Sequence, residues 1–535
     1  MNEASVNLVD EPWIPVAWLD SASGEPDWLG LRELFRQAHR IRALRISEAP
    51  AHSALLRILY ALTARITGLD EADSGDTWAE RRGVLLQCRQ VGFASVAEVL
   101  ADAPGIDAYF DEHHDRFFLF HPDRPWMQDP RLPEQCDPEN TAGVNKLVMS
   151  RAAGNNHSWF SHETAAAPVL PDPSQAVLGL LTWHYWGSPG RCSTRTVGSV
   201  SAAVAKAAPL RGALSYHPEC DNLFETLLAG LVPDVNADRK TDLCPWEREE
   251  LPDPLKSMPE PLGPCSRLTG TSQHAVYLVP AEDGRRTKDA YITWAYNAPR
   301  VRPQDDYLIW DVNKDLKSFA REAKASRALW RDVDALLLQQ KDERSPKRPL
   351  AVAHAATSFR DLRIRALGFD QDMSQSANRQ HIESVTPKLL LHVVDEAPET
   401  DSPVRTLREV GEEFGWRLAY GIKSAWLAYT DDKHNDPGPW LDATAERYWP
   451  AAEEEFWSRF RLLNREEEAW TTGFDEKATR RAFGWFALDS YNAVTDSVTR
   501  TPRGAKAVGK GRAVILAGLE DGKKTSGRSR TERKK

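Results

Sequence analysis

Apolar residues recur every three or four positions in several stretches of the chain, the spacing that lines one face of an α-helix. Residues 31–39 place Leu31, Leu34 and Phe35 on one face. Residues 53–67 do the same with Leu55, Leu59, Leu62 and Ile66, with Ser53 as the expected cap and Gly68 as the stop. A mostly apolar run at 175–186 predicts a buried helix, and 221–231 a further one. After about residue 385 the helical period dominates. Val404, Leu407, Val410, Phe414, Leu418 and Ile422 follow a start at Asp401 and Pro403, and 440–463, 475–495 and 505–519 continue the pattern. Long amphipathic helices with short connections predict an antiparallel bundle of about four helices. Gly509, Gly511 and Gly518 weaken the last of them, because glycine costs about 1 kcal/mol in a helix interior.

Period-two segments are fewer. Residues 275–279 and 290–296 alternate around a polar turn at 282–288, which predicts a β-hairpin. The opening NLVDEPWIPV at 7–16 carries two prolines and reads as an edge or irregular segment. The cluster at 187–194 reads as a break after a helix, and 369–375 as a loop without either period. Seven prolines in 233–264 predict a long surface connection. No internal repeat is present. The class is therefore α+β, divided into a mixed domain over 1–384, a helical bundle over 385–520 and a basic tail, 521–535, expected to be disordered.

Composition narrows this picture. The 535 residues include 48 aromatics, which need an interior and exclude a disordered or fibrous chain. No apolar run reaches the roughly 18–20 residues of a membrane span, and the N-terminus lacks a signal-peptide pattern, so a soluble cytoplasmic protein is expected. The formal net charge of −10 hides an asymmetry. From Arg500 onward there are 12 basic and three acidic residues, so the first 499 carry −19 against +9 in the tail. A polyanion would be drawn to that tail and to local basic clusters. Six cysteines without a CxxC spacing point to reduced thiols, with neither disulfide nor metal nor any other cofactor.

Catalytic signatures are missing: no dinucleotide or phosphate loop, no HExxH, no GxSxG. His157 and His162, with the acids between Asp111 and Asp115, are the best materials for a metal-dependent nuclease, but no third ligand is assignable. Three features suit nucleic acid. NNHSWFSH at 155–162 sets Trp159 and Phe160 among Asn156 and other hydrogen-bonding groups, as stacking or wedging requires. SPGRCSTR at 188–195 offers backbone amides beside Arg191, Ser193 and Arg195, with no side chain at Gly190 to obstruct approach. Arg285, Arg286 and Lys288 form a basic finger at the hairpin tip. A DNA-reading subunit, a metal-dependent nuclease and a structural scaffold remain open on these grounds.

The opening motif resembles that of the large subunit (CasA) of type I-E Cascade, the CRISPR surveillance complex. HPDRPWMQ at 121–128, HETAAAP at 162–168 and LGFDQD at 367–372 follow in the family's order, so the resemblance spans about 6–500. It implies a large N-terminal mixed α/β domain of irregular topology, a C-terminal four-helix bundle and no catalysis. Such a subunit recognises the PAM in double-stranded DNA and promotes opening for pairing with the CRISPR RNA, and it helps recruit the helicase-nuclease. Other Cascade subunits are the implied partners, and no membrane is involved. Carried onto this chain, Trp159 or Phe160, with Asn156, contacts the RNA handle or PAM region. Gly190, Arg191 and Ser193 form the minor-groove loop, and Lys288, or else Arg286, the basic finger. Gln375 is the wedge that separates the first base pair, with Gln371 as its rival.

Overall fold

A computed structural model describes residues 6–520, apart from 21–23, 72–73, 154–162, 164–166, 299–303, 326, 339–341, 360–361, 373–377, 390–400, 433 and 464–473. The chain forms two compact units. The first comprises 1–311, 318–323 and 348–384, the second 312–317, 324–347 and 385–535. The class is α+β, with small sheets in the first unit and long helices in the second.

The first unit opens with β1 (Ile14–Trp18), β2 (Trp28–Leu29), α1 (Leu31–Gln37), β3 (Ile41–Leu44) and α2 (Ala49–Thr67). Contrary to the sequence expectation, β1 is not an edge. It is the middle strand of the order β2-β1-β3. Its first half pairs with β2 and its second with β3, and Pro15 serves as an acceptor, taking the Arg45 N–H at 2.9 Å. Helix α2 is buried along all 19 residues. It starts a turn earlier than expected, after Glu48, so Ser53 is not its cap. Gly68, at φ +64°, closes it in the left-handed conformation that glycine adopts without steric cost.

A helix with polar groups buried on every side needs partners for them. Arg57 donates to Ser53 Oγ (2.7 Å), Ser215 Oγ (2.9 Å) and both Asp305 oxygens (3.0 Å each). Arg65 donates to Glu247 (2.9 and 2.7 Å), to Asp70 and to the Asp242 carbonyl.

Continuing along the chain are α3 (Pro173–Trp186), β4 (Gly190–Val197), β5 (Val200–Ala205), β6 (Leu214–Glu219), α4 (Leu223–Ala229), α5 (Pro264–Thr269), β7 (His274–Pro280), β8 (Thr287–Trp294), β9 (Arg363–Gln371) and β10 (Asn378–Val385). The expected break at 187–194 holds only to Pro189, because Gly190 begins strand β4, which pairs antiparallel with β5. The hairpin of β7 and β8 is as expected. β9 pairs with β6 and extends to Gln371, so the first half of the expected 369–375 loop is strand. Residues 233–264 form the expected irregular connection up to α5. Among the described residues no helix is long and apolar enough to cross a membrane.

The second unit contains α6 (Asp401–Thr430), α7 (Gly438–Leu463), α8 (Glu476–Thr495) and α9 (Pro502–Glu520). Residues 324–347 belong with them rather than with the first domain, because Trp330 is fully buried against Trp449, Phe456 and Phe483. The glycines of α9 have a packing reason. A Cβ on Gly511 would stand 2.3 Å from the Gly421 carbonyl of α6 and 2.3 Å from the Tyr491 hydroxyl, whereas one on Gly509 would meet nothing within 4 Å. Two alanine substitutions two residues apart should therefore have opposite signs. Gly509→Ala is expected to stabilise by up to about 1 kcal/mol through helix propensity. Gly511→Ala is expected to destabilise by about 1–3 kcal/mol through overpacking. Denaturant unfolding of the two variants checks both signs.

Candidate nucleic-acid interface

The residues singled out by sequence lie on three segments of the first unit. At the end of α3, Gly187 sits so close to His274 that a Cβ there would lie 2.6 Å from its ring. His274 donates from Nε2 to the Ser188 carbonyl at 3.1 Å, and burial pushes its pKa down to about 3, so the ring is neutral. This fixes the start of the turn into β4. Gly190 follows at φ +119°, with open space where a side chain would point. Arg191 is exposed, and its carbonyl accepts from Lys146 Nζ at 3.4 Å.

Beyond Arg191, side chains alternate across the strand. Ser193 is buried, with its carbonyl taking the Thr293 hydroxyl at 2.7 Å, so it is not the exposed groove contact the sequence suggested. Arg195 is wholly buried. It donates to Asp129 (2.7 Å), Gln135 (2.8 and 2.6 Å) and the Trp294 carbonyl (3.0 Å), which gives it a structural duty.

The β4–β5 hairpin is held to β8 by the Ser193–Thr293 bond and by Trp294 Nε1 donating to the Ala202 carbonyl at 3.0 Å. Both bonds lie at the open end of the β7–β8 hairpin. The basic tip is at the other end, about 17 Å from Thr293 to Lys288 at the usual strand rise. There Asp283 accepts from the Arg285 and Arg286 backbone N–H groups at 2.9 Å each and from Arg286 Nε at 2.6 Å. Those bonds, the Arg286 ones foremost, hold its carboxyl well below the usual range. Arg285 is paired with Glu11 at 2.5 Å. Lys288 stands not at the tip but in β8, exposed and without a partner among the described residues. Of the three cations it is the one with its charge uncommitted. Thr287 N–H bonds to the Pro171 carbonyl at 3.0 Å, which anchors the hairpin beside the chain leaving 154–166. Asn156, Trp159 and Phe160 lie outside the described residues, as do His157 and His162.

The third segment is the end of β9. Gln371 is buried, and its amide is fully engaged. Oε1 accepts from Gly212 N–H (3.1 Å), and Nε2 donates to the Trp186 carbonyl (3.1 Å) and Asn378 Oδ1 (2.8 Å). A wedge must leave such a pocket and abandon three hydrogen bonds, so Gln371 is corrected from rival wedge to anchor. Gln375 lies outside the described residues. Arg211, which the sequence reading passed over, connects this anchor to the glycine turn. One arm donates to Ser188 Oγ and the other to the Asp372 carbonyl at 2.8 Å. No local pattern marks it, since its partners are 23 and 161 residues away.

Of the residues considered for a metal-dependent reaction, Asp111 is committed to an ion pair, while His157 and His162 lie outside the described residues. Asp111 pairs with Arg32 at 2.8 Å and His114 with Asp10 at 2.9 Å. Among the described residues no three His, Cys, Asp or Glu side chains are grouped to hold a metal ion.

The fold and these surfaces define a two-unit α+β protein that presents a glycine turn, a basic hairpin and the anchored end of β9 on its mixed unit. The family model of the CRISPR-associated protein Cse1 matches residues 7–490. The chain belongs to the Cse1 (CasA) family, the large subunits of type I-E Cascade. It is 27% identical to the CRISPR-associated protein CasA/Cse1 of Thermus thermophilus, over 94% of this chain and 95% of that one. A chain of a CRISPR RNA-guided surveillance complex superposes with a TM-score of 0.81 at 34% identity, covering 96% of this chain and 99% of its own. Thermobifida fusca Cse1 shares the fold, with a TM-score of 0.73 at 19% identity over 97% and 98% of the two chains.

Proposed function

We propose that this chain is the non-catalytic, PAM-reading large subunit of an RNA-guided surveillance complex, assembled with CRISPR RNA and the other Cascade subunits. The observation that supports the reading is the bonded path from the glycine turn through Arg211 to the Asp372 carbonyl, next to 373–377. Gly190 and Arg191 approach the minor groove, where a degenerate donor and acceptor pattern admits several related PAMs. Lys288, with Arg286 beside it, contacts phosphate. Gln375 enters the stack below the PAM, and the groove contacts offset an unstacking cost of a few kcal/mol. Asn156, Trp159 and Phe160 meet the RNA handle or the PAM-proximal duplex. In the bundle, Arg503, Lys506, Lys510 and Arg512 are exposed along α9 and suit a displaced strand, while the same unit helps recruit the helicase-nuclease.

The test is binding of duplexes differing only in the PAM by the RNA-loaded complex, with and without this subunit, at two salt concentrations. Discrimination is expected to require the subunit. Lys288→Ala should weaken binding to all sequences and reduce the salt slope by about 1. Gln375→Ala should leave initial binding intact and slow strand opening. Discrimination that persists without the subunit would replace this reading with that of a scaffold. Metal-dependent cleavage by the purified chain, lost in His162→Ala, would replace it with a nuclease.

A further inference from the structure

Two aromatic side chains of the bundle have no part in the reading above, yet they face solvent. On α6, Trp416 and Tyr420 stand one turn apart and are 56% and 52% exposed. Their rings are stacked, with centroids 5.5 Å apart and planes 9° from parallel. The core side of the same helix is filled without them, since Phe414, Leu418 and Ile422 are at most 3% exposed. Rings at i and i+4 on a long helix are held in place by the helix itself. Little ordering is then left to be done when a ligand arrives.

The register of α6 against α9 sets what surrounds the pair. The two helices meet at Gly421 and Gly511, and Arg417 donates to the Val514 carbonyl at 3.2 Å, so they run antiparallel. Tyr420 and Lys510 each precede that glycine contact by one residue, about 100° of helical rotation. In an antiparallel pair equal rotations lead to the same side of the seam, which puts Lys510 on the side of Tyr420. Lys506 and Arg503 continue that side of α9 one and two turns away, and Lys423 follows Tyr420 on α6. All four cations are exposed and have no ion pair among the described residues. The acids one turn before Trp416 are already neutralised. Glu412 pairs with Arg331 at 2.6 Å, and Glu413 with Arg417 at 2.7 Å and Arg480 at 2.9 Å. Glu409 and Asp431 are exposed on this side, but each is roughly two turns or more from either ring.

Exposed parallel rings beside a row of uncommitted cations match single-stranded nucleic acid, whose bases are free to stack and whose phosphates are drawn to positive charge. A duplex would bring the phosphates without a free base face. We infer that Trp416 and Tyr420 form a stacking step for a single strand, with its phosphates along Lys510, Lys506 and Arg503 and beside Lys423. The bases extend the stack from its outer faces. Interleaving would need about 7 Å, two contacts of about 3.5 Å each, and the centroids are only 5.5 Å apart. This inference rests on the displaced-strand part of the reading above and names the residues that take the bases.

The test uses the full-length chain, free of RNA and partner subunits, and a labelled dodecathymidylate. That strand contains no PAM, so failure here is distinct from failure of PAM reading. Binding is followed by fluorescence anisotropy at two salt concentrations, against a strand of the same length built from abasic residues. Saturable binding of thymidylate is expected, weakened about tenfold by Trp416→Ala and by Tyr420→Ala but not by Tyr420→Phe, with melting temperatures unchanged. The abasic strand should bind more weakly, and equally to the parent and both alanine variants. Lys510→Ala should reduce the salt slope by about 0.7. Three results would overturn the inference: no saturation at low salt, abasic strand bound as tightly as thymidylate, or both alanine variants binding like the parent. A changed oligomeric state of either alanine variant, or its loss from the assembled complex, would overturn it too and assign the face to a second copy or a partner protein.

Discussion

Arg65→Met is expected to cost the first unit about 3–5 kcal/mol at pH 7, the usual penalty for removing one member of a buried charge cluster. Arg65, Asp70 and Glu247 have side chains 1%, 1% and 5% exposed, so no partner can turn to water when the guanidinium is lost. Burial pushes the Glu247 carboxyl up, but the Arg65 hydrogen bonds and charge, with the Tyr109 hydroxyl at 2.6 Å, more than reverse this and keep it ionised. At Asp70 burial wins instead and holds its carboxyl above the usual range, although Arg65 opposes the shift. Without Arg65 the Glu247 charge stays buried with only neutral donors, from Tyr109 and from the Cys244 N–H at 2.8 Å. The defect should shrink in acid, where Glu247 can be protonated. Denaturant unfolding of parent and variant at pH 7 and pH 4.5 measures it, and a loss below 1 kcal/mol at pH 7 would contradict this account.

The second large effect is acid destabilisation of the same unit. Burial lowers the pKa of His52 to about 3, His184 to about 4 and His274 to about 3, and takes His217 well below its ordinary value. The His217 case is geometrically clear. Its Nε2 faces Ser53 Oγ at 2.7 Å and the Arg57 guanidinium at 3.3 Å, so a proton there would meet a fixed positive charge. Each of these rings is neutral when folded and has an ordinary pKa near 6.5 when unfolded. The unfolded chain therefore binds more protons below pH 6.5, and stability falls as pH drops from there toward 4. Four histidines give a slope of roughly 5 kcal/mol per pH unit at the steepest. On unfolding at pH 5 these four rings should take up close to four protons, with His39, His113, His354 and His381, also lowered by burial, adding to the uptake read from the pH dependence of the denaturation free energy. A free energy that is level between pH 7 and pH 5 would show that these rings are not buried as described.

The helices were legible because their apolar period is local. α1, α3 and the four bundle helices announce themselves within a dozen residues, and the β7–β8 hairpin does so through its polar turn. What escaped depends on distant partners. Pro15 argued for an edge, yet a strand that changes partners midway needs only its carbonyl. Ser53 resembled a cap, but its hydroxyl answers to Arg57 and His217, the latter 164 residues on. Gln371 resembled a free amide until Gly212, Trp186 and Asn378 closed around it. Arg195 resembled a groove contact for the same reason: nothing near it in sequence reveals Asp129 or Gln135. The interface was half legible. Its glycine turn and basic finger were visible, whereas Arg211 takes its partners from Ser188 and the Asp372 carbonyl, 23 and 161 residues away.

Under the proposed duplex-reading function, Arg211 has a practical consequence for anyone wishing to change which duplexes the subunit accepts. Exchanging the 187–190 turn alone for that of a relative would graft it onto a foreign support, since Ser188 and the Asp372 carbonyl share one guanidinium. A chimera should instead transplant 187–190, position 211 and 371–378 together, as a three-piece cassette.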